Sequence, residues 1–135
     1  IIAAFNGNYN GKLNTPAWTG TVFAQYDTPP LFGDAYLSMR TDAIFRDTTQ
    51  ADTNPQAAIF NIAPGVRFTE SYWVVNGRVA LKEINLGGIK ADLAVWGRNL
   101  FDTQRFSYAL NISNIFIGGN YIPARSYGMD LTISF

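Results

Sequence analysis

Arg125-Ser-Tyr-Gly-Met-Asp-Leu-Thr-Ile-Ser-Phe135 alternates without a break. Arg125, Tyr127, Met129, Leu131, Ile133 and Phe135 fall on one face, and Ser126, Gly128, Asp130, Thr132 and Ser134 on the other. A period of two marks a β-strand with one apolar and one polar side. About ten such residues, tilted, cross the hydrocarbon core of a bilayer. One wall of a soluble sandwich would read the same way. Recurrence of the pattern upstream separates the two.

Five earlier segments alternate as well. Ile89 to Asn99 sets Ile89, Ala91, Leu93 and Val95 against Lys90, Asp92, Trp96 and Arg98. Tyr72 to Ile84 sets Trp73, Val75, Gly77, Val79 and Leu81 against Asn76, Arg78, Ala80 and Lys82. Ala35 to Arg46 sets Leu37, Met39, Ala43 and Phe45 against Ser38, Arg40, Asp42 and Arg46. Ala17 to Asp27 sets Trp18, Val22, Ala24 and Tyr26 against Thr19, Thr21, Gln25 and Asp27. Ile1 to Asn10 sets Ile1, Ala3, Phe5 and Tyr9 against Ala4, Asn6, Asn8 and Asn10. Phe23, Ile44 and Trp96 break the pattern on polar faces, and Thr41 on an apolar one.

Composition narrows the function classes. The 135 residues hold ten Lys+Arg and ten Asp+Glu, for a formal charge of zero, so no basic field points to nucleic acid. Charged residues make up only 15%, where a soluble surface carries about 25–35%. Without cysteine there is no disulfide framework or thiolate chemistry. Without histidine the commonest general base and transition-metal ligand are missing. No apolar run approaches the roughly eighteen residues of a membrane helix, but strand alternation hides hydrophobicity from such a test. The start on Ile1-Ile2, without Met or a signal peptide, reads as a mature piece or a fragment.

The connections are asymmetric. Pro29-Pro-Leu-Phe-Gly-Asp34 and Asn85-Leu-Gly-Gly88 are compact and rich in turn formers. On the opposite side Asp47 to Ser71 and Leu100 to Ala124 are long, and Gly11 to Pro16 is short. Membrane barrels pair short periplasmic turns with long extracellular loops. Aromatics on the apolar faces gather near strand ends, with Trp18, Phe45, Trp73 and Tyr127 toward the loops and Tyr26 and Phe135 toward the turns. That placement suits interfacial girdles, although strands use many aromatics in any setting.

The fifth segment runs into Val95-Trp-Gly-Arg-Asn-Leu-Phe-Asp102, and Pro123-Ala-Arg-Ser-Tyr-Gly128 leads the last. These motifs, with alternation to a terminal Phe135, resemble the C-terminal end of TonB-dependent outer-membrane receptors. In that family a penultimate strand ends in Asn-Leu-Phe-Asp, and the last strand reads Pro-Arg-Thr-Tyr-Gly before its apolar row. One residue is inserted here between Pro123 and Arg125. Pro16-Ala-Trp-Thr-Gly20 and Tyr72 to Arg78 are also similar. The motif-level likeness covers Asp92 to Phe135.

The resemblance implies an all-β, antiparallel up-and-down transmembrane barrel, of which this chain is about six strands out of about 22. Six strands alone cannot enclose a usable lumen, since about eight give an interior merely filled by side chains. The chain is therefore read as the C-terminal part of a larger barrel, with its plug domain and remaining strands lying elsewhere. The implied setting is the outer membrane of a Gram-negative bacterium, with the C-terminus periplasmic. Implied partners are outer-membrane lipid and lipopolysaccharide, the rest of the barrel and plug, TonB through that plug, and the barrel assembly machinery.

Candidate residues follow in three groups. Gly128, Leu131, Ile133 and Phe135 match the family's assembly signal, and an edge strand of this kind can pair by β-augmentation. Arg40, Asp42, Arg78, Lys82, Lys90, Asp92, Arg98 and Asp130 would line the lumen, as structural ion pairs before ligand contacts. Strand pairing is expected to bring Asp130 near the Lys90 to Asp92 region or its neighbours, with the register left open. Arg105, Tyr108, Asn120 and Tyr121 in the second long connection are possible ligand contacts, unless that connection packs on itself. The first connection holds Asp47, Gln50, Asp52, Asn54 and Gln56. Gly118-Gly119 reads as a turn or hinge, lacking the helix and Lys/Ser of a phosphate cradle. Asp42 and Asp47 with Arg40 and Arg46 read as an ion-pair cluster. No catalytic set, cofactor or metal site is expected.

The leading expectation is active uptake of a scarce solute: a ferric siderophore, a cobalamin-like cofactor or an oligosaccharide. The alternatives are a passive porin or structural barrel, and a soluble β-sandwich binding module. The membrane reading requires that Met39, Val79 and Leu93 not lie beneath a second protein layer.

Overall fold

The structure is a computed structural model that describes residues 15–50, 68–112 and 116–134. The strand expected over Ile1 to Asn10, and Asp52, Asn54, Gln56 and Phe135, lie outside the described residues. All described regular elements are strands: β1 (Thr19–Asp27), β2 (Tyr36–Arg46), β3 (Thr49–Gln50), β4 (Phe68–Thr69), β5 (Tyr72–Asn85), β6 (Lys90–Arg98), β7 (Phe106–Ile112), β8 (Phe116–Tyr121) and β9 (Ser126–Ser134). Five build one antiparallel sheet in the order β1-β2-β5-β6-β9, while β3 pairs with β4 and β7 with β8. The chain divides into two compact units. One is Gly20–Phe45, Trp73–Gln104 and Pro123–Phe135, which holds the five-stranded sheet; the other is drawn from Ile1–Thr19, Arg46–Tyr72 and Arg105–Ile122.

Each sheet strand begins and ends within two residues of the alternating segment that foretold it. Register turns alternation into rows. Val79, Val95 and Met129 line up across β5, β6 and β9, as do Leu81, Leu93 and Leu131 one pleat further on. Ile84, Ala91 and Ile133 form a third apolar row, and Gly77, Gly97 and Tyr127 a fourth. The opposite face carries Arg78, Trp96 and Gly128 in one row and Ala80, Ala94 and Asp130 in the next.

Ile84 joins the apolar face only because Lys82 and Glu83 together oppose Asp92, a β-bulge. Glu83 sits at φ 59°, a left-handed conformation costly for a residue with a Cβ. Its N–H donates to Asp92 Oδ1 at 2.9 Å, and its carboxylate bonds Lys90 Nζ. Those bonds hold the extra residue in place. If Lys82 and Glu83 instead continued the strict alternation, Ile84 would fall on the charged side.

Among the described residues no second layer covers this sheet's apolar face. Met39, Val79 and Leu93 remain 37%, 40% and 44% exposed, and Leu131 and Met129 reach 65% and 72%. Among the described residues the buried apolar ones are small (Ala35, Ala80, Ala91, Ala94), apart from Tyr72, and no large side chain is fully buried. The sheet is open, with β1 and β9 at its edges.

One expectation fails in the second long connection, where β7 and β8 pair as antiparallel strands. Gly118 and Gly119 sit within β8, opposite Leu110 and Ala109, so they are neither turn nor hinge. The alternation of Phe106, Tyr108, Leu110 and Ile112 was present in the sequence, but Asn and Gly around it read as loop composition. A Cβ at Gly119 would lie 2.8 Å from Tyr108 O and 3.0 Å from the Phe106 ring, which is why a bare glycine suits this strand. In the first connection, β3 and β4 pair Thr49 with Thr69 and Gln50 with Phe68.

Candidate functional site

The charged face of the sheet is built from alternate residues of β2, β5, β6 and β9. Asp130 is its hub: Arg78 Nη1 donates to Oδ2 at 2.7 Å and Trp96 Nε1 donates to Oδ1 at 3.1 Å. Asp130 lies opposite Ala94, a neighbour of the Lys90 to Asp92 region, and Arg78 reaches it across β6. The Trp96 ring lies over Gly128, where a Cβ would come within 2.3 Å of Cζ2. Arg98 in turn stacks on Trp96, its Cζ 5.0 Å from a ring centroid.

Asp42 accepts Asn76 Nδ2 at 2.7 Å. Arg40 stacks over Phe23 at 4.9 Å. The cluster expected of Arg40, Arg46, Asp42 and Asp47 is thus not what Asp42 and Arg40 form. Alternation sends Asp42 toward an amide on β5, and Asp47, beyond the strand end, accepts Thr48 N–H at 2.7 Å. Two of the three apolar exceptions on the polar faces, Phe23 and Trp96, are explained: each is a platform for an arginine. A cleft of about 380 Å3 opens among Arg40, Asn76, Arg78, Trp96, Arg98 and Asp130.

Lys82, Lys90 and Asp92 gather at the other end of the sheet, where Lys90 bonds Glu83 and Asp92 holds the bulge. Chemically the charged face offers hydrogen-bond donors and charge, with no group of three or more metal-ligating side chains among the described residues.

The Asn-Leu-Phe-Asp segment is a clasp. Asn99 is 3% exposed and takes φ 50°. Its Nδ2 donates to Thr103 O and Pro123 O, both at 3.0 Å, and its Oδ1 accepts Thr103 N–H at 2.8 Å. Its own N–H donates to Asn76 Oδ1 at 3.0 Å. Leu100 N–H donates to Val75 O, and Thr103 Oγ1 to Trp73 O, each at 2.8 Å. The clasp therefore ties β5 and β6 to the residue that leads into β9. Leu100 folds over the Gly77–Gly97 pair, with a Cβ on Gly97 2.5 Å from Leu100 Cδ2 and 3.0 Å from Tyr127 Cδ1. Asn76 and Asn99 carry this arrangement, and neither stood out among the candidates; two asparagines at matching levels of adjacent strands were the available signal.

On the apolar face an open hollow of about 860 Å3 runs over Gly77 and Gly97 between Met39, Val79, Tyr127 and Met129. Phe45 and Trp73 meet at 5.0 Å, a tilted ring pair near the strand ends. Leu131 and Ile133 stand on this face, whereas Gly128 belongs to the charged face beneath Trp96.

The second unit holds the loop candidates. Tyr108 and Asn120 are cross-strand partners on one face of the hairpin. Tyr121 lies on the other, stacked on Phe106 with centroids 4.3 Å apart. Arg105 pairs with Glu70 at 3.2 Å. The four are not brought together as one site.

No family model matches the chain, and neither the curated proteins nor the solved structures provide a match.

Proposed function

We propose that this chain is the C-terminal barrel portion of a TonB-dependent outer-membrane transporter, about six of the roughly 22 strands in its wall, taking up a scarce solute without covalent chemistry. The solute is a ferric siderophore, a cobalamin-like cofactor or an oligosaccharide. One observation carries the reading: a five-stranded antiparallel sheet with a continuous apolar face in the open and a charged face behind it. Its magnitude matters. Covering a Val, Leu, Ile or Met side chain is worth about 1.5–3 kcal/mol. Met39, Val79, Leu93, Val95, Met129, Leu131 and Ile133 are each roughly a third to three quarters uncovered. Together they leave about 5–10 kcal/mol unrealised, as much as a whole domain's stability. Hydrocarbon on that face recovers it.

Support for the transporter comes from the clasp at Asn99, which gives the family-like Asn-Leu-Phe-Asp motif a structural task at the end of the penultimate strand. In this reading the long connections face outward, β9 faces the assembly machinery, and the short turns face the periplasm.

Two measurements test the proposal in cells carrying the natural gene. A fluorophore attached to single cysteines replacing Met129, Leu131 or Ile133 should be quenched by a lipid-dissolved nitroxide, and one on cysteines replacing Asp130 or Thr132 by an aqueous nitroxide. The reverse pattern, or aqueous access to both faces, overturns the membrane reading. Uptake that persists after the proton gradient is collapsed replaces active transport with passive diffusion.

A further inference from the structure

Phe23 and Trp96 interrupt the polar faces of β1 and β6, and each carries one arginine. Ring stacking holds a guanidinium by its flat face and leaves its N–H donors free around the edge. The carboxylates nearby are already engaged. Asp42 takes Asn76, and Asp130 takes both Arg78 and Trp96. None of the ion pairs Arg78–Asp130, Lys90–Glu83 and Arg105–Glu70 takes in Arg40 or Arg98, although Arg98 lies near enough to Asp130 to act on its charge. The cleft is lined by three arginines and two aspartates, a net positive charge. Arg40 on β2 and Arg98 on β6 stand two strand spacings apart, about 10 Å. Between them the floor is polar: Asn76, Arg78 and Asp130.

We infer that this cleft binds a small solute bearing two or more carboxylates, with Arg40 and Arg98 each taking one. A guanidinium fork matches a carboxylate with two parallel N–H···O bonds. Pre-orientation by the rings lowers the side-chain ordering that such bonds require. At about 380 Å3 the cleft lies near the small end of ligand sites, which suits an organic acid better than a large chelate. The inference adds a solute class beyond the three proposed above and rests on the membrane reading for the water that bathes this face.

The probe is citrate, added to the full chain refolded in detergent micelles, with Trp96 fluorescence as the signal. Saturable quenching is expected, absent with glycerol and absent in Trp96→Phe. Arg40→Gln and Arg98→Gln should each weaken binding roughly tenfold or more, and Arg40→Lys should recover only part of it, because an ammonium lacks the fork. Arg125→Gln, which removes the same charge elsewhere on the sheet, should bind as the parent does. Far-UV circular dichroism checks that each variant keeps its strands. Absence of citrate binding overturns the inference, as does parental affinity in both glutamine variants or an equal loss in Arg125→Gln. None of these results bears on the nitroxide pattern, so the cleft can fail while the membrane reading stands.

Discussion

Asn99 does work that no other side chain could take over at that position. Its backbone needs a left-handed conformation, which Asn tolerates better than most residues, and its amide supplies both donors and an acceptor to part-buried backbone hydrogen bonds. Asn99→Asp turns the donor edge into a second oxygen facing Thr103 O and Pro123 O, and should cost about 2–4 kcal/mol. A shift in the urea midpoint of the micelle-refolded chain measures it. Gly128 is the counterpart on β9. Gly128→Ala places a methyl inside the Trp96 ring and should cost about 1–3 kcal/mol. The same variant should shift the Trp96 emission, because the ring must lift away from Asp130.

At the scale of the strand, parity governs what each residue meets. Deletion of Glu83 removes the extra residue of the bulge and leaves Ile84 opposite Ala91, so the sheet should still form. Deletion of Val79 moves one end of β5 to the wrong faces and should abolish folding; circular dichroism of the two refolded variants compares them. On β9, Leu131→Arg should lose about 2–4 kcal/mol in bilayers, while Thr132→Arg should change stability little. Denaturant titration of liposome-reconstituted protein separates the pair. The strands that build the sheet were legible because each alternates over nine or more residues against turn-forming connections. The β7–β8 hairpin was not, since its glycines lie inside a strand where Phe106 and Tyr108 O crowd any Cβ. The candidate site was half legible. Alternation placed Arg78, Arg98 and Asp130 on one face, but which partner each would meet depends on register, and register depends on where the bulge falls.

At the scale of the molecule, zero net charge and a bare apolar face act together. Neither repulsion between copies nor a covering layer keeps such a surface dispersed in water. Dilution of the refolded chain below the detergent's micelle concentration should give aggregates within the dead time of light scattering. A chain that stayed monomeric and folded would have to be a soluble module. The three bonds of Asn99's side chain have one more implication: they join Thr103 to Pro123, so the chain enters and leaves everything between them at a single pinned point. That stretch can lengthen, shrink or be replaced by a foreign graft while the strand after it keeps its seat.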